Sequence, residues 1–126
     1  MIIYKENLDG VKPEMLNNFF DGWKTFPSKE KHFELLQNSE FKILAIGDER
    51  NKVAGYINAI TDGGLSAYIP LREVVPDYKS KGIGTELVKR MLEKLKEFYM
   101  IDIVCDESLQ GFYERFGMKK YSSMIF

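Results

Sequence analysis

The sequence has little of what several protein classes require. Its single cysteine, Cys105, excludes an internal disulfide, and with one histidine the chain offers no Cys/His cluster for zinc. No apolar run approaches the roughly 20 residues that cross a bilayer, and the N-terminus lacks the apolar stretch of a secretion signal. A formal net charge of −1 does not favour nucleic acid. We therefore expect a cytoplasmic protein without a metal, a nucleic-acid partner or a membrane partner.

The composition is that of an ordinary globular protein. Hydrophobic residues make up 44% and charged residues 29% of the chain, which suits a protein with a buried core. A chain of 126 residues is long enough for one such core and too short for two domains of ordinary size. There is no internal repeat, low-complexity segment or linker rich in Pro, Gly or Ser. We expect a single domain over residues 1–126.

The hydrophobic periodicity predicts an alternation of strands and helices. Strands are predicted at 2–4, 41–46, 53–60, 65–75, 101–105 and 118–126, and helices at 12–20, 28–38, 83–98 and 109–116. Pro70 lies inside the long strand 65–75 and cannot donate to a ladder, which implies a bulge or a missing neighbour. A strand, a long helix and a strand in succession predict a crossover, so we expect a mixed α/β fold with helices on both faces of the sheet.

A glycine turn precedes the long helix and has the properties of an anion site. The first helical turn has amide N–H groups without partners, and the helix dipole adds positive charge there. Gly82 can adopt a positive φ, Gly84 leaves the backbone accessible, and Lys79 and Lys81 add charge. Thr85 adds a hydroxyl donor, so a diphosphate would fit. The alternative is a tight structural turn with solvated lysines.

Two motifs then make the pattern more specific. Residues 74–84 resemble the acetyl-CoA motif V-x-P-x-[YF]-[RQ]-x-[KR]-G-x-[GA] of the GNAT superfamily of N-acetyltransferases, with Lys79 in place of the usual Arg or Gln. Residues 112–118, Phe-Tyr-Glu-Arg-Phe-Gly-Met, resemble the F-Y-E-[KR]-x-G-[FM] motif of the same family. A weaker similarity to glucosamine-6-phosphate N-acetyltransferases rests on Cys105-Asp106-Glu107 and on an acidic residue at 73 followed by valine.

The resemblance implies a fold and a donor. The expected fold is a mixed, mostly antiparallel sheet of six to seven strands whose central strand is bulged and splayed from its neighbour. Acetyl-CoA would lie in this wedge, with its pantetheine arm along Val74 and Val75 and near Asp106 and Phe112. Its diphosphate would contact Lys79, Ser80, Lys81, Gly82, Ile83, Gly84 and Thr85. The implied reaction is direct acetyl transfer to a primary amine in a ternary complex, without a metal.

Catalytic candidates follow from what amine attack on a thioester needs. Glu73 at the end of the long strand is a candidate general base, and the alternative is an ion pair with Arg72 or a lysine. By the resemblance, Tyr113 would protonate or hydrogen-bond the CoA sulfur, and the alternative is a core aromatic residue. The resemblance also implies that the Val74 N–H stabilises the oxyanion.

The acceptor is less well defined by the sequence. Trp23 and Phe26 lie in a segment that walls the acceptor site in the family, although they could simply pack the N-terminal helices onto the sheet. Tyr68 faces either the acceptor or the opposite side. We expect a small-molecule amine; a CoA-binding domain without turnover and a protein N-terminal or lysine acetyltransferase stay open. A homodimer that exchanges the C-terminal strand also stays open. His32 is expected on a helix surface.

Overall fold

The computed structural model describes residues 1–47 and 51–126, so residues 48–50 of the predicted hairpin turn lie outside the described part. The strands and helices are β1 (Ile3–Lys5), α1 (Lys29–Gln37), β2 (Phe41–Ile46), β3 (Val53–Thr61), β4 (Ser66–Ile69), β5 (Arg72–Val74), α2 (Ile83–Leu95), β6 (Met100–Ile103) and α3 (Gln110–Glu114). Short 3-10 turns at Pro13–Met15, Pro76–Tyr78 and Glu107–Leu109 complete the order.

The strands form one sheet of six. Its order is β1-β2-β3-β4-β6, and β5 also pairs with β3, beyond the end of β4. All the pairs are antiparallel except β4 with β6, which run parallel across the α2 connection. The predicted fold class, a mixed and mostly antiparallel sheet with helices on both faces, is confirmed.

A bulge at Pro70 divides the predicted strand 65–75 into β4 and β5. Ile60 pairs with Tyr68 and Ile57 with Arg72, so three steps along β3 correspond to four steps on its partner. The extra residue moves every later side chain to the opposite face of the sheet. The Asn58 side chain holds the bulge, because its Oδ1 accepts a 3.1 Å hydrogen bond from the Leu71 amide.

Each face of the sheet carries its own hydrophobic core. On one face, α2 buries Ile83, Leu87, Val88, Met91 and Leu95 against β2, β3 and β4, as its periodicity predicts. On the other face, α1 and residues 11–20 cover the sheet with a second cluster. Ser28 caps α1, since its Oγ accepts a 3.1 Å hydrogen bond from the Lys31 amide.

Some predicted elements are wrong. The helix predicted at 12–20 is only the 3-10 turn Pro13–Met15, because Asn18 and Phe20 have positive φ values of 67° and 61°, which a right-handed helix excludes. His32 is not on a helix surface: it is 2% exposed, packed against Phe19 and Tyr56.

The strand predicted at the C-terminus is also wrong. Residues 118–126 form no strand, and the apolar side chains of Tyr121, Met124 and Ile125 are exposed. Strand formation depends on a neighbouring strand and a buried face more than on residue type, and this segment has neither. The helix predicted at 109–116 is shortened to α3, although Gly117 does follow it at φ 90°, as expected of a left-handed C-cap residue.

Candidate active site

The N-terminus of α2 has the geometry of an anion site. Gly82 precedes the helix at φ 82°, and Ser80 is also left-handed at φ 64°. No side chain caps the helix. The first α2 amide bonded to the preceding backbone is that of Glu86, which donates to Gly82. The amides of residues 82–85 therefore have no acceptor within the described chain, and successive N–H groups of this kind bind phosphate oxygens.

Gly84 has a role that the sequence did not indicate. A Cβ added there would lie 2.7 Å from Nη1 of Arg72. The missing side chain therefore makes room for a guanidinium group beside the first turn of α2. We had attributed Gly84 only to access of an anion to the backbone.

Arg72 is a partly buried cation beside this turn. Its Cζ lies 4.7 Å from the Phe112 ring centroid, and its Nε donates a 2.9 Å hydrogen bond to the Tyr113 hydroxyl. Across residues 1–47 and 51–126, no carboxylate forms an ion pair with it. Its charge is thus available to an anionic or polarised ligand.

The expected wedge lies beside β5. β4 pairs with β6 from Ser66 to Ile69, whereas β5 pairs only with β3 in the described sheet. Val75 donates its amide to Ala54 at 2.9 Å and accepts from Tyr78 at 3.0 Å, so its backbone groups are bonded within the protein. Because an antiparallel ladder alternates, Val74 directs its N–H and C=O to the free edge. This favours Val74 over Val75 as the backbone partner of an added strand.

Tyr113 lies in the core of the α2 face with its hydroxyl at the wedge. The side chain is 5% exposed and packs against Phe112, with ring centroids 5.0 Å apart. Its oxygen accepts from Arg72, and no described residue accepts its proton. The predicted alternatives are therefore combined: Tyr113 is a core aromatic residue whose hydroxyl proton is still available to a ligand.

Glu73 lies on the opposite face from Arg72 and Tyr113. Its Oε1 accepts from the Phe20 amide and its Oε2 from the Tyr56 hydroxyl, each at 2.8 Å. Burial and the neighbouring Glu73 charge raise the pKa of Tyr56, which therefore stays protonated and donates. The ion pair with Arg72 or a lysine that we weighed for Glu73 is absent from the described residues. Two donors hold the carboxylate, and each oxygen retains capacity for a further one.

The predicted aromatic segment lies on the Glu73 face. Trp23 is 52% and Phe26 62% exposed, and both contact Phe20, at centroid distances of 5.1 and 6.2 Å. An open cleft of about 470 Å³ is lined by residues 18–23, Phe26, Pro76 and Asp77. Because Phe20 also bonds Glu73, this segment joins the cleft to the carboxylate.

Tyr68 and Asp106 lie at the margins of the site. Tyr68 pairs with Ile60, which shares a face with Tyr56, so Tyr68 lies on the Glu73 face. Asp106 is exposed, and its side chain makes no cap hydrogen bond to the 3-10 turn that follows it. Lys79 and Lys81 are exposed beside the α2 turn.

Two arginines at the site are not predicted from the sequence. The sequence suggests Arg72 only as an ion-pair partner of Glu73, because the strand pattern of 65–75 is continuous and does not show the bulge that turns Arg72 toward Tyr113. Arg115 Nη2 reaches Thr85 Oγ1 at 3.4 Å, and its Cζ lies 5.0 Å from the Phe112 ring. The basic position in the 112–118 motif was the available signal for Arg115.

Two features are absent from the described residues. No three His, Cys, Asp or Glu side chains within residues 1–47 and 51–126 are grouped so that they could hold a metal ion. None of the helices in this part of the chain combines the length and apolar character needed to span a bilayer.

Comparison with known proteins places the chain in a family. The model of the acetyltransferase (GNAT) family matches residues 8–118. No curated protein matches the sequence. A protein from Deinococcus radiodurans R1 described as an acetyltransferase is 38% identical, with a TM-score of 0.94 over 99% of this chain and 87% of its own.

Two further solved structures share the fold. A GNAT-family acetyltransferase from Streptococcus pneumoniae TIGR4 is 27% identical, with a TM-score of 0.76 over 100% of this chain and 97% of its own. The glucosamine-6-phosphate N-acetyltransferase of Arabidopsis thaliana is 15% identical, with a TM-score of 0.72 over 100% of this chain and 97% of its own. At that identity the last likeness concerns the fold alone.

Proposed function

Because the chain belongs to the GNAT family of acetyltransferases, we propose that it transfers an acetyl group from acetyl-CoA to the primary amine of a small molecule. The observation that carries the proposal is the arrangement of groups around β5. The Glu73 carboxylate lies on one face of this strand. On the other face, the Arg72 side chain is hydrogen-bonded to the Tyr113 hydroxyl. The free backbone edge at Val74 lies between these two groups. A base and an acid thus flank one binding edge.

The donor site is the wedge and the α2 turn. The four unpaired amides of residues 82–85 and the positive charges of Lys79, Lys81 and Arg115 suit a diphosphate. The pantetheine arm would extend along β5 as an added strand that bonds Val74. The thioester then lies near the Tyr113 hydroxyl.

Direct transfer follows from these positions. The amine nitrogen attacks the thioester carbon, the C–N bond forms, and the oxyanion accepts a hydrogen bond from the Val74 N–H. Glu73 takes the proton that the attacking nitrogen loses, directly or through a water molecule. As the C–S bond breaks, the thiolate takes the Tyr113 proton. Two proton transfers on opposite faces of β5 therefore complete the reaction.

The aromatic cleft is the proposed acceptor site. Trp23 and Phe26 present apolar faces, and Asp21 and Asp77 border the same cleft with carboxylates. This combination suits a cationic amine, because the ammonium form is attracted by aromatic faces and by negative charge. Glu73 accepts a hydrogen bond from the amide of Phe20, which lines the cleft, and the amine would lose its proton to this carboxylate.

Thiol release from acetyl-CoA with a panel of small amines tests the proposal. We expect at least one cationic amine to give steady release above the amine-free rate. Acetylated amine detected by mass spectrometry should match the released thiol one to one. Release that no amine accelerates, with CoA binding retained in calorimetry, would favour a CoA-binding domain without turnover.

A further inference from the structure

We propose that Arg72 is a positioning residue for the transfer: its guanidinium fixes the Tyr113 hydroxyl so that the phenol proton is donated to the departing thiolate. This inference rests on the proposed function and adds a residue to it. It also assigns Gly84 the task of leaving space for that guanidinium.

In the hydrogen bond between Arg72 and Tyr113, only Arg72 can be the donor. A guanidinium carries donors and no acceptor, so the 2.9 Å contact from Arg72 Nε makes the phenol oxygen the acceptor. The phenol O–H must then be given to a different group. Tyr113 is 5% exposed, and no acceptor for its proton occurs in the described part of the chain. A ligand sulfur in the wedge would supply that acceptor.

The guanidinium itself is fixed from two sides. On one side its Cζ lies 4.7 Å from the Phe112 ring centroid and 5.6 Å from that of Tyr113. On the other side Nη1 lies next to Gly84, 2.7 Å from the point where a Cβ of residue 84 would be. The group is thus held between α3 and the first turn of α2. A lysine has one donor atom and no planar fork, so it could not make the same two contacts.

The charge of Arg72 matters when the proton moves. Donation of the phenol proton to the thiolate leaves a phenolate, whose oxygen is then 2.9 Å from a cation with no carboxylate partner in the described structure. A charge-assisted bond stabilises this product more than the neutral phenol. The phenolate regains a proton from solvent, and Glu73 releases the one taken from the amine, so the proton count closes.

Substitution of Arg72 gives the first test. In Arg72→Leu we expect kcat with the best amine to fall about tenfold or more, while the Kd for CoA changes by less than about twofold. Arg72→Lys should recover little of the loss, because Nε is missing. In a Tyr113→Phe background, Arg72→Leu should have almost no further effect, since the two groups act as a unit.

Arg90 offers a matched control. It makes the same kind of contacts elsewhere, because its Nε donates to Glu86 at 2.7 Å and its Cζ lies 4.4 Å from the Tyr4 ring centroid. Arg90→Leu should therefore leave both kcat and the CoA Kd unchanged.

Gly84→Ala tests the geometry with Arg72 still present. The new methyl group must displace the guanidinium, so kcat should fall, although alanine favours the helix and the melting temperature should be maintained. In an Arg72→Leu background the same substitution should lower kcat no further, because the guanidinium that it displaces is already absent. This second variant keeps the inference testable if Arg72→Leu folds poorly.

Several results would overturn the inference. A kcat equal to that of the wild type in folded Arg72→Leu would do so. The same holds if, in the double variant, the loss of kcat from Arg72→Leu adds fully to the loss from Tyr113→Phe. A raised CoA Kd with unchanged kcat would make Arg72 a diphosphate ligand instead. If the wild-type chain acetylates no amine, the proposed function fails and this inference with it, whereas an active wild type with unaffected Arg72 variants contradicts the inference alone.

Discussion

At the scale of single residues, the proposed acid Tyr113 and the proposed base Glu73 have separate tasks, and each can be tested. Tyr113→Phe removes the proton donor but keeps the ring that packs against Phe112. We expect kcat to fall about a hundredfold, with little change in the CoA Kd measured by calorimetry. Turnover unchanged from the wild type would remove the acid role.

Glu73→Gln is the corresponding test on the other face. The amide oxygen can still accept from the Phe20 N–H, and the amide nitrogen can donate to the Tyr56 oxygen, so the local structure is kept. We expect kcat to fall about a hundredfold at pH 7, with partial recovery at higher pH where more of the amine is neutral. A loss that is the same at every pH would argue against a base.

These residue roles were only partly visible in the sequence. Tyr113 could be selected because the 112–118 motif marks its position, and Glu73 because it directly precedes the 74–84 motif at the end of a predicted strand. Arg72 could not, because its orientation depends on one extra residue at the Pro70 bulge. Simple alternation along the strand predicted at 65–75 would put Glu73 on the face of Ala67 and Ile69, whereas the bulge puts it on the face of Tyr56.

At the scale of elements, the proposed binding of CoA depends on the turn into α2. Gly82 has φ 82°, which a β-branched residue adopts only under strain. We expect Gly82→Val to weaken CoA binding about tenfold or more, because about 1–2 kcal/mol of strain would reorient the amides of the first turn. The Kd for CoA by calorimetry is the measurement.

Gly63 is the matched control for this turn. It has the same φ of 82° and the same open surroundings, but it lies in the turn between β3 and β4. Gly63→Val should therefore cost similar stability and leave the CoA Kd unchanged. Equal losses of CoA affinity in both variants would mean that strain in general, and not the α2 turn, is responsible.

The elements that the sequence predicted well are those with a strong local pattern. The helical period of α2 and the apolar run of β2 predicted the bounds of both elements to within a few residues. The segment 12–20 failed because its apolar residues are buried by a loop with two left-handed residues, which periodicity does not encode. The C-terminal segment failed because strand formation depends on a neighbour that no local pattern provides.

At the scale of the whole molecule, His32 couples stability to pH. Burial lowers its pKa from the ordinary value of 6.5 to about 4, and its Nε2 has no partner in the described structure. A lowered folded-state pKa means that the contribution to stability is complete above pH 6.5 and is lost as the pH falls toward 4. The slope is at most about 1.4 kcal/mol per pH unit for one proton.

Denaturant unfolding of the wild type and of His32→Leu at several pH values between 7 and 4 measures this effect. The leucine variant fills the space between Phe19, Phe20 and Tyr56 without a titrating group. The difference in unfolding free energy between the two proteins should shift in favour of the variant as the pH falls. A difference that is independent of pH would contradict the assignment to His32.

The most direct test of the account is the position of the sulfur in a crystal structure with CoA bound. The account predicts the sulfur within about 3.5 Å of the Tyr113 oxygen, with the Arg72 bond to that oxygen intact and the diphosphate on the amides of residues 82–85. A sulfur on the Glu73 face, or one that does not contact the Tyr113 oxygen, would contradict it.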